Sequence, residues 1–328
     1  MKNKKIVLYI IAAVCLVAVI VATVLLCTRA RYRYELNESG DGYVITDFNG
    51  WAKKVKLPSR RRGLPVVSVG QEAFAGNEKI TTVTIPSSVE RIEYRAFADC
   101  VNLTTVKLNE GLKDIYTGSF GGCTSITEII IPDSVTAIRG AAFQNCTSLT
   151  TVKLPKSLET INYLVFLGCG ELKNLSMNEG GEHFYVKDNC LIDKEIGTLV
   201  IGTNSSVIPT DGTVSAIGDG AFYDRIHLAS LFIPESVKSI GESAFYGCRS
   251  LYKVEMKGVN TIGVRAFFGC TRIDSITISS ALRNIDEVAF YSCSGLESIN
   301  FYGSEEEFER ISVAIQNEPF TKAQVNYK

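Results

Sequence analysis

Histidine occurs twice, tryptophan once and methionine three times in 328 residues, leaving little from which to build a histidine-based catalytic or metal centre. Cysteine is plentiful, at ten, but no Cys-x-x-Cys pair occurs, and neither His183 nor His227 stands at zinc-ligand spacing from a thiol. A glycine-rich phosphate loop, a nucleophile elbow and a metalloprotease helix are missing as well. So is any excess of charge: 34 basic side chains stand against 35 acidic ones, and a net of −1 provides no field for counterion release from a polyanion. These absences exclude nucleic acid as a partner, imply no cofactor and argue against an enzyme. The 46% apolar content is ample for a large folded core. A binding or structural protein is the class left standing.

Lys2, Lys4 and Lys5 precede an apolar run from Ile6 to Cys27, 22 residues that would form a helix about 33 Å long at ~1.5 Å per residue. A cleavable signal has an apolar core of roughly 7 to 15 residues and small residues at the cut, whereas this run ends Leu25-Leu26-Cys27-Thr28-Arg29. The segment therefore reads as an uncleaved signal-anchor, a single-pass transmembrane helix over residues 6–27 with a short basic cytoplasmic tail at 1–5. Secretion after signal cleavage is the alternative. Arg29, Arg31 and Arg33 nearly balance the lysines, and the orientation adopted is N-terminus inside, remainder extracellular.

The rest is organised by an internal period. Phe74, Phe97, Phe120, Phe143 and Phe166 are each 23 residues apart; after a gap of 56 the series resumes at Phe222, Phe245, Phe267 and Phe290. Around each Phe a frame returns, as in Ile138-x4-Phe143-x2-Cys146-x2-Leu149-x2-Val152-x-Leu154-Pro155. Its Leu-x-x-Val-x-Leu element alternates like a short strand, and proline, which cannot donate to a ladder, closes several copies. One unit cannot bury its own apolar face, but stacked units join their columns into one core. The expectation is a right-handed solenoid, mostly β and irregular, with one parallel sheet on its concave face, nine strands making roughly 40 Å at about 4.8 Å per strand.

That frame resembles the 23-residue leucine-rich repeat of BspA-type surface proteins, over residues 41 to 328. The resemblance implies bacterial cell-surface adhesion to proteins or glycans of host matrix, host cells or other microbes. The domain reading is a juxtamembrane linker at 28–40, an N-terminal cap at 41–63 containing the Arg60-Arg61-Arg62 run, a solenoid over 64–302 and a C-terminal cap at 303–328. A hairpin-like insertion at about 178–206 fills the 56-residue gap. In the C-terminal cap Ser304 starts a short amphipathic helix bearing Phe308, Ile311 and Ile315, which would cover the last turn.

Seven cysteines share the slot three residues after the Phe: Cys100, Cys123, Cys146, Cys169, Cys248, Cys270 and Cys293. Stacked turns bring neighbours to disulfide range, but equivalent side chains in a ladder point in parallel, so the expectation is a buried ladder of inert thiols. Asn77 and Arg225 fill the slot in two other turns.

With the strand Leu and Val inward, one outward column runs through Thr105, Glu128, Thr151, Ser230 and Lys253, and its neighbour through Lys107, Ile130, Lys153, Phe232 and Glu255. Ile130 and Phe232 are apolar where exposure is expected, and Tyr252 lies one turn from Phe232. These eleven residues are the candidate partner-binding surface. The leading function is a membrane-anchored recognition protein acting in protein binding and adhesion. The alternative is a structural or assembly component of the bacterial envelope that binds a partner on the same cell.

Overall fold

The alternating Leu-x-x-Val-x-Leu elements form parallel strands one turn apart. The computed structural model describes Val14, Val17 and residues 32–162 and 164–328; the expected transmembrane helix lies, but for those two valines, outside the described residues. Among the described residues no helix is long and apolar enough to cross a membrane. Thr82–Thr84 pairs with Thr105–Lys107, Glu128–Ile130 with Thr151–Leu154 and on to Asn174–Met177, and Ser230–Phe232 starts a run through Lys253–Glu255, Ser275–Ser279 and Ser298–Tyr302 to Gln324–Tyr327. Val83, Ile129, Val152, Val254, Ile276 and Ile299 point inward and are fully buried. We call this the long ladder.

A single sheet was the expectation, and the structure corrects it. A second parallel ladder, the short ladder, is built from two-residue strands at Arg91–Ile92, Asp114–Ile115, Ala137–Ile138 and Thr160–Ile161, and again from Ala216–Ile217 to Ser312–Val313. Each strand inserts one apolar side chain, an isoleucine until the final Val313. Two residues are too few for an alternation to show in sequence.

The Phe turns add a third column of contacts. Phe97 N–H donates to Ser119 O at 2.7 Å and Phe245 N–H to Ala266 O at 2.7 Å, so each turn is bonded to the next. The rings stack with centroids 4.8 to 5.6 Å apart from Phe74 to Phe166 and 5.0 to 5.1 Å apart from Phe222 to Phe290. The residues two before and two after the Phe take left-handed backbone in every turn but that of Phe166, where only Gly168 does, as at Arg95 (φ 51°) and Asp99 (φ 58°). The thiol three residues after the Phe points back one turn: Cys123 Sγ lies 3.1 Å from Phe97 O and Cys248 Sγ 3.1 Å from Phe222 O. All eight described cysteines are buried and unbridged.

The insertion interrupts every column. Phe184–Lys187, Cys190–Asp193 and Thr198–Ile201 form an antiparallel meander whose last strand pairs with Ala216–Ile217 and restarts the short ladder. Leu191 and Ile201 join the core before it, while Cys190, Ile192 and Leu199 join a second core after it. Gly202 takes the place of a ring above Phe222, where a Cβ would come within 2.1 Å of Phe222 Cε1. Arg225, in the cysteine slot and only 2% exposed, reaches across the missing turn. Its Nε donates to Gly202 O at 2.8 Å, and its Nη1 to Cys169 O at 3.2 Å and Tyr223 O at 2.9 Å.

Both ends of the described solenoid are covered. Within the span read as linker, Tyr32–Leu36 pairs antiparallel with Tyr43–Phe48, because Tyr32 packs its ring on Phe48 at 5.3 Å and on Phe74 at 6.5 Å. The Arg60–Arg61 pair forms a hairpin with Leu64–Val69, and Arg61 lies over the Tyr34 ring at 4.2 Å. At the other end Ser304 caps helix α1 (Glu305–Glu309) in a reciprocal capping box with Glu307. Phe308 and Ile311 pack inward, but Ile315 is 67% exposed and covers nothing. Phe320 on helix α2 (Glu318–Lys322) covers the last turn instead, stacked on Phe290 at 5.4 Å. Asn317 completes the seal: its Oδ1 accepts the Phe290 N–H at 2.9 Å, replacing the carbonyl of an absent next turn.

Candidate functional site

The outward face of the long ladder is lined by short polar side chains because alternation sends every second strand residue away from the core. Ile130 and Phe232 stand out on it, 54% and 51% exposed. The structure divides the eleven candidate residues between two places separated by the insertion.

Thr105, Lys107, Glu128 and Ile130 come together around a cavity of about 550 Å³, which Glu110 and Pro132 help to line. It exists because the long ladder opens there: strands Thr105–Lys107 and Glu128–Ile130 belong to separate sheets, while the short ladder runs on beneath them from Asp114–Ile115 to Ala137–Ile138. Val106 is accordingly half-buried where Val83 and Val152 in the equivalent positions are sealed. Locally, Asn109 stands where other turns carry Pro86 or Pro132, and its Nδ2 donates to Ile85 O at 2.7 Å. Gly111 (φ 114°) then passes so near Ser87 that a Cβ would meet Ser87 O at 2.1 Å. The loop hangs from side chains: Ser134 Oγ accepts Gly111 N–H at 3.0 Å and donates to Leu112 O at 2.7 Å, and Glu110 accepts the N–H groups of Asp133 and Ser134. Thr151 and Lys153 continue the face from the cavity, half-buried and paired in register with Glu128 and Ile130.

After the insertion, Ser230 and Phe232 pair with Lys253 and Glu255. Tyr252, Lys253 and Glu255 line a second cavity, of about 370 Å³, with Asn300, Tyr302 and Lys328. Lys257 bridges its rim, with Nζ 3.2 Å from Glu255 Oε1 and 3.9 Å from the Tyr302 ring centroid, and the hydrogen bond it donates to Glu255 raises the ammonium's pKa. Tyr302, Lys257 and Lys328 are absent from the sequence-derived candidates. Continuing the alternation of Ser298 and Asn300 by one step would have found Tyr302. The C-terminal Lys328 joins only through the pairing of Gln324–Tyr327 with Ser298–Phe301.

Elsewhere the chemistry is structural. His227 Nε2 meets Glu171 Oε1 at 2.8 Å across the insertion. Among the described residues no group of three His, Cys, Asp or Glu side chains is placed to hold a metal ion. Burial lifts the Cys190 and Cys293 thiols to about 12, which keeps both un-ionised and unreactive at neutral pH.

A profile of the BspA type leucine rich repeat region matches residues 67–194 and 202–317, in six copies, the two stretches being separated by residues 195–201 of the insertion. The chain belongs to the BspA-type leucine-rich-repeat family. The fold of this BspA-type protein is similar to that of a leucine-rich repeat protein from Eubacterium ventriosum, 18% identical, with a TM-score of 0.60 over 88% of this chain and 92% of that one. It is also similar to the pneumococcal vaccine antigen PcpA, 16% identical, with a TM-score of 0.56 over 91% of this chain and 97% of that one. At these identities the likeness concerns the fold. No curated protein matches the sequence of this BspA-type chain.

Proposed function

We propose that this protein is a membrane-anchored bacterial surface receptor whose long-ladder face binds proteins or glycans of host matrix, host cells or other microbes. Membership of the BspA-type family supports a protein-binding surface role. The single observation that carries the reading is Ile130, more than half exposed on the wall of a cavity among Thr105, Lys107 and Glu128. An apolar side chain held open beside polar neighbours suits a macromolecular contact. Catalysis is not part of the proposal, since strands, turns and caps occupy the chain from Tyr32 to Lys328.

Protease treatment of intact cells tests the location: release of the solenoid is expected, and its survival would favour the envelope-assembly role on the same cell. A screen of the purified chain against matrix proteins, glycans and envelope extracts tests recognition. Ile130→Thr and Phe232→Ala are each expected to weaken a discovered interaction about tenfold, or ~1.4 kcal/mol. Unchanged affinity with intact folding would remove the long-ladder face from the proposal.

A further inference from the structure

Charge is unevenly placed along the chain. From Trp51 to Gln71 it carries six cations, Lys53, Lys54, Lys56, Arg60, Arg61 and Arg62, and no carboxylate, whereas acidic side chains outnumber basic ones from Glu72 onward. All six are exposed and none has an ion-pair partner among the described residues, unlike Arg95, which lies against both Glu72 and Asp99. The fold gathers them at the end of the solenoid where the chain enters. Lys54–Lys56 is the first strand of the long ladder, and Arg60–Arg61 is one arm of the hairpin with Leu64–Val69. The entering strand Tyr32–Leu36 touches both: Tyr32 Oη donates to Lys56 O at 3.4 Å, and Arg61 lies over the Tyr34 ring. Trp51, the only tryptophan, stands three residues after Phe48, in the slot where later turns bury a thiol against the turn before. Among the described residues no Phe turn precedes Phe48 to cover that slot, and the indole is 65% exposed, with Lys79 Nζ 3.3 Å from its ring centroid.

We propose that this N-terminal cap docks on the anionic lipid headgroups of the bilayer that holds the chain's own anchor, its cations meeting lipid phosphate and Trp51 entering the headgroup layer. The proposal rests on the membrane-anchor reading and adds a second attachment to it. Chain length supports the choice of partner. Only Thr28 to Arg31 separate the apolar run from Tyr32, so even a fully extended connection keeps Tyr32 within roughly 18 Å of the run's end. A headgroup layer of about 5–7 Å takes up part of that distance, which leaves no room for a folded partner between cap and bilayer. Arg29 and Arg31 lie in the connection and add charge of the same sign. At physiological ionic strength the field of an anionic surface decays over about 8 Å, so it acts on the cations at this end and hardly on those of later turns. Tryptophan suits the headgroup layer because its ring is apolar and its N–H polar. The opposite cap carries Glu305, Glu306, Glu307 and Glu309, which a negative surface repels. Docking by the basic end therefore stands the solenoid on the membrane and leaves the long-ladder face free.

The test uses the full chain reconstituted in lipid vesicles and reads the fluorescence of Trp51, excited selectively over the tyrosines. In vesicles of equal parts phosphatidylglycerol and phosphatidylcholine, its emission is expected to shift to the blue and to be quenched by headgroup-spin-labelled lipid. In phosphatidylcholine alone neither should occur. Raising the salt to about 1 M, where the screening length falls to about 3 Å, should reverse both effects. Combining Lys54→Glu, Lys56→Glu and Arg62→Glu, whose side chains bond to nothing among the described residues, should lower the ratio of docked to free cap on the order of a hundredfold. Equal emission and quenching in the two lipid mixtures would overturn the docking. So would a triple variant that responds as the parent does. A shift of the same size on adding polyphosphate to the chain in phosphatidylcholine would assign the patch to soluble polyanions and overturn the lipid assignment. An alkaline carbonate wash separates the docking from the anchor: a chain that stays in the vesicles without a Trp51 response loses the docking alone, whereas a chain that washes out loses the anchor and the proposal with it.

Discussion

Val288 is the least comfortable residue in the repeat. It occupies the left-handed position two before Phe290, at φ 54°, where other turns place Gly118 or Gly220. Left-handed backbone costs a residue with a Cβ roughly 1–2 kcal/mol, and β-branching adds to it. Val288→Gly should therefore stabilise the protein by about 1 kcal/mol, seen as a higher denaturant midpoint with an unchanged slope; a lower midpoint would show that the Val288 side chain contributes more by packing than its backbone strain costs. The cysteines give a pH prediction. Cys190 and Cys293 are pushed up to about 12 by burial, from an ordinary value of 9.0. The folded state thus holds these protons more tightly than the unfolded one, and their contribution is complete below about pH 9 and disappears as pH rises toward 12. Denaturation midpoints measured from pH 7 to 11 should be flat at first and then fall; a midpoint constant to pH 11 would contradict this. The Phe and Cys positions were legible because one residue type recurs in one slot. The left-handed positions were not, since Glu, Arg, Gly, Ala, Ser and Val all fill the place two before the Phe.

Strands of the long ladder could be read from sequence because Val and Leu alternate with polar residues over enough length to show a period. Two-residue strands of the short ladder could not, although Ile138 and Ile240 stood in the repeat frame all along. Ile315 was read as a continuation of the α1 stripe, yet that helix ends at Glu309, and Phe320 takes the covering role on α2 behind Asn317 and Pro319. The opening beside Ile130 depends on how the Asn109-Glu110-Gly111 loop hangs from the next turn, which no local pattern expresses. Arg225 is the element-level device with the clearest consequence. Its guanidinium donates to the Gly202 and Cys169 carbonyls across a turn that the solenoid lacks and to Tyr223 O within its own turn, in a place where burial lowers its pKa. Arg225→Ala should cost about 3 kcal/mol by stranding buried carbonyls beside a cavity, measured by chemical denaturation. A loss under 1 kcal/mol would mean that the insertion, not Arg225, joins the two stretches.

Across the whole molecule, two apolar cores meet at the meander of Phe184–Ile201 instead of merging. Repeat proteins hold together through nearest-neighbour contacts, so a weak junction lets the halves part company. Hydrogen exchange under mild denaturant should show residues 216–302 and 82–177 opening with different free energies, and identical values would establish one cooperative unit. The same arithmetic acquires a mechanical meaning when the chain is drawn out between its ends. Each turn is fastened chiefly to its neighbours, so the spacing of 23 residues becomes a unit of length, about 80 Å of chain paid out per turn. The 56-residue spacing between Phe166 and Phe222 becomes one longer slip of roughly 190 Å. A protein built this way would yield under tension in small repeated increments, as a ratchet does, and keep the turns not yet reached intact.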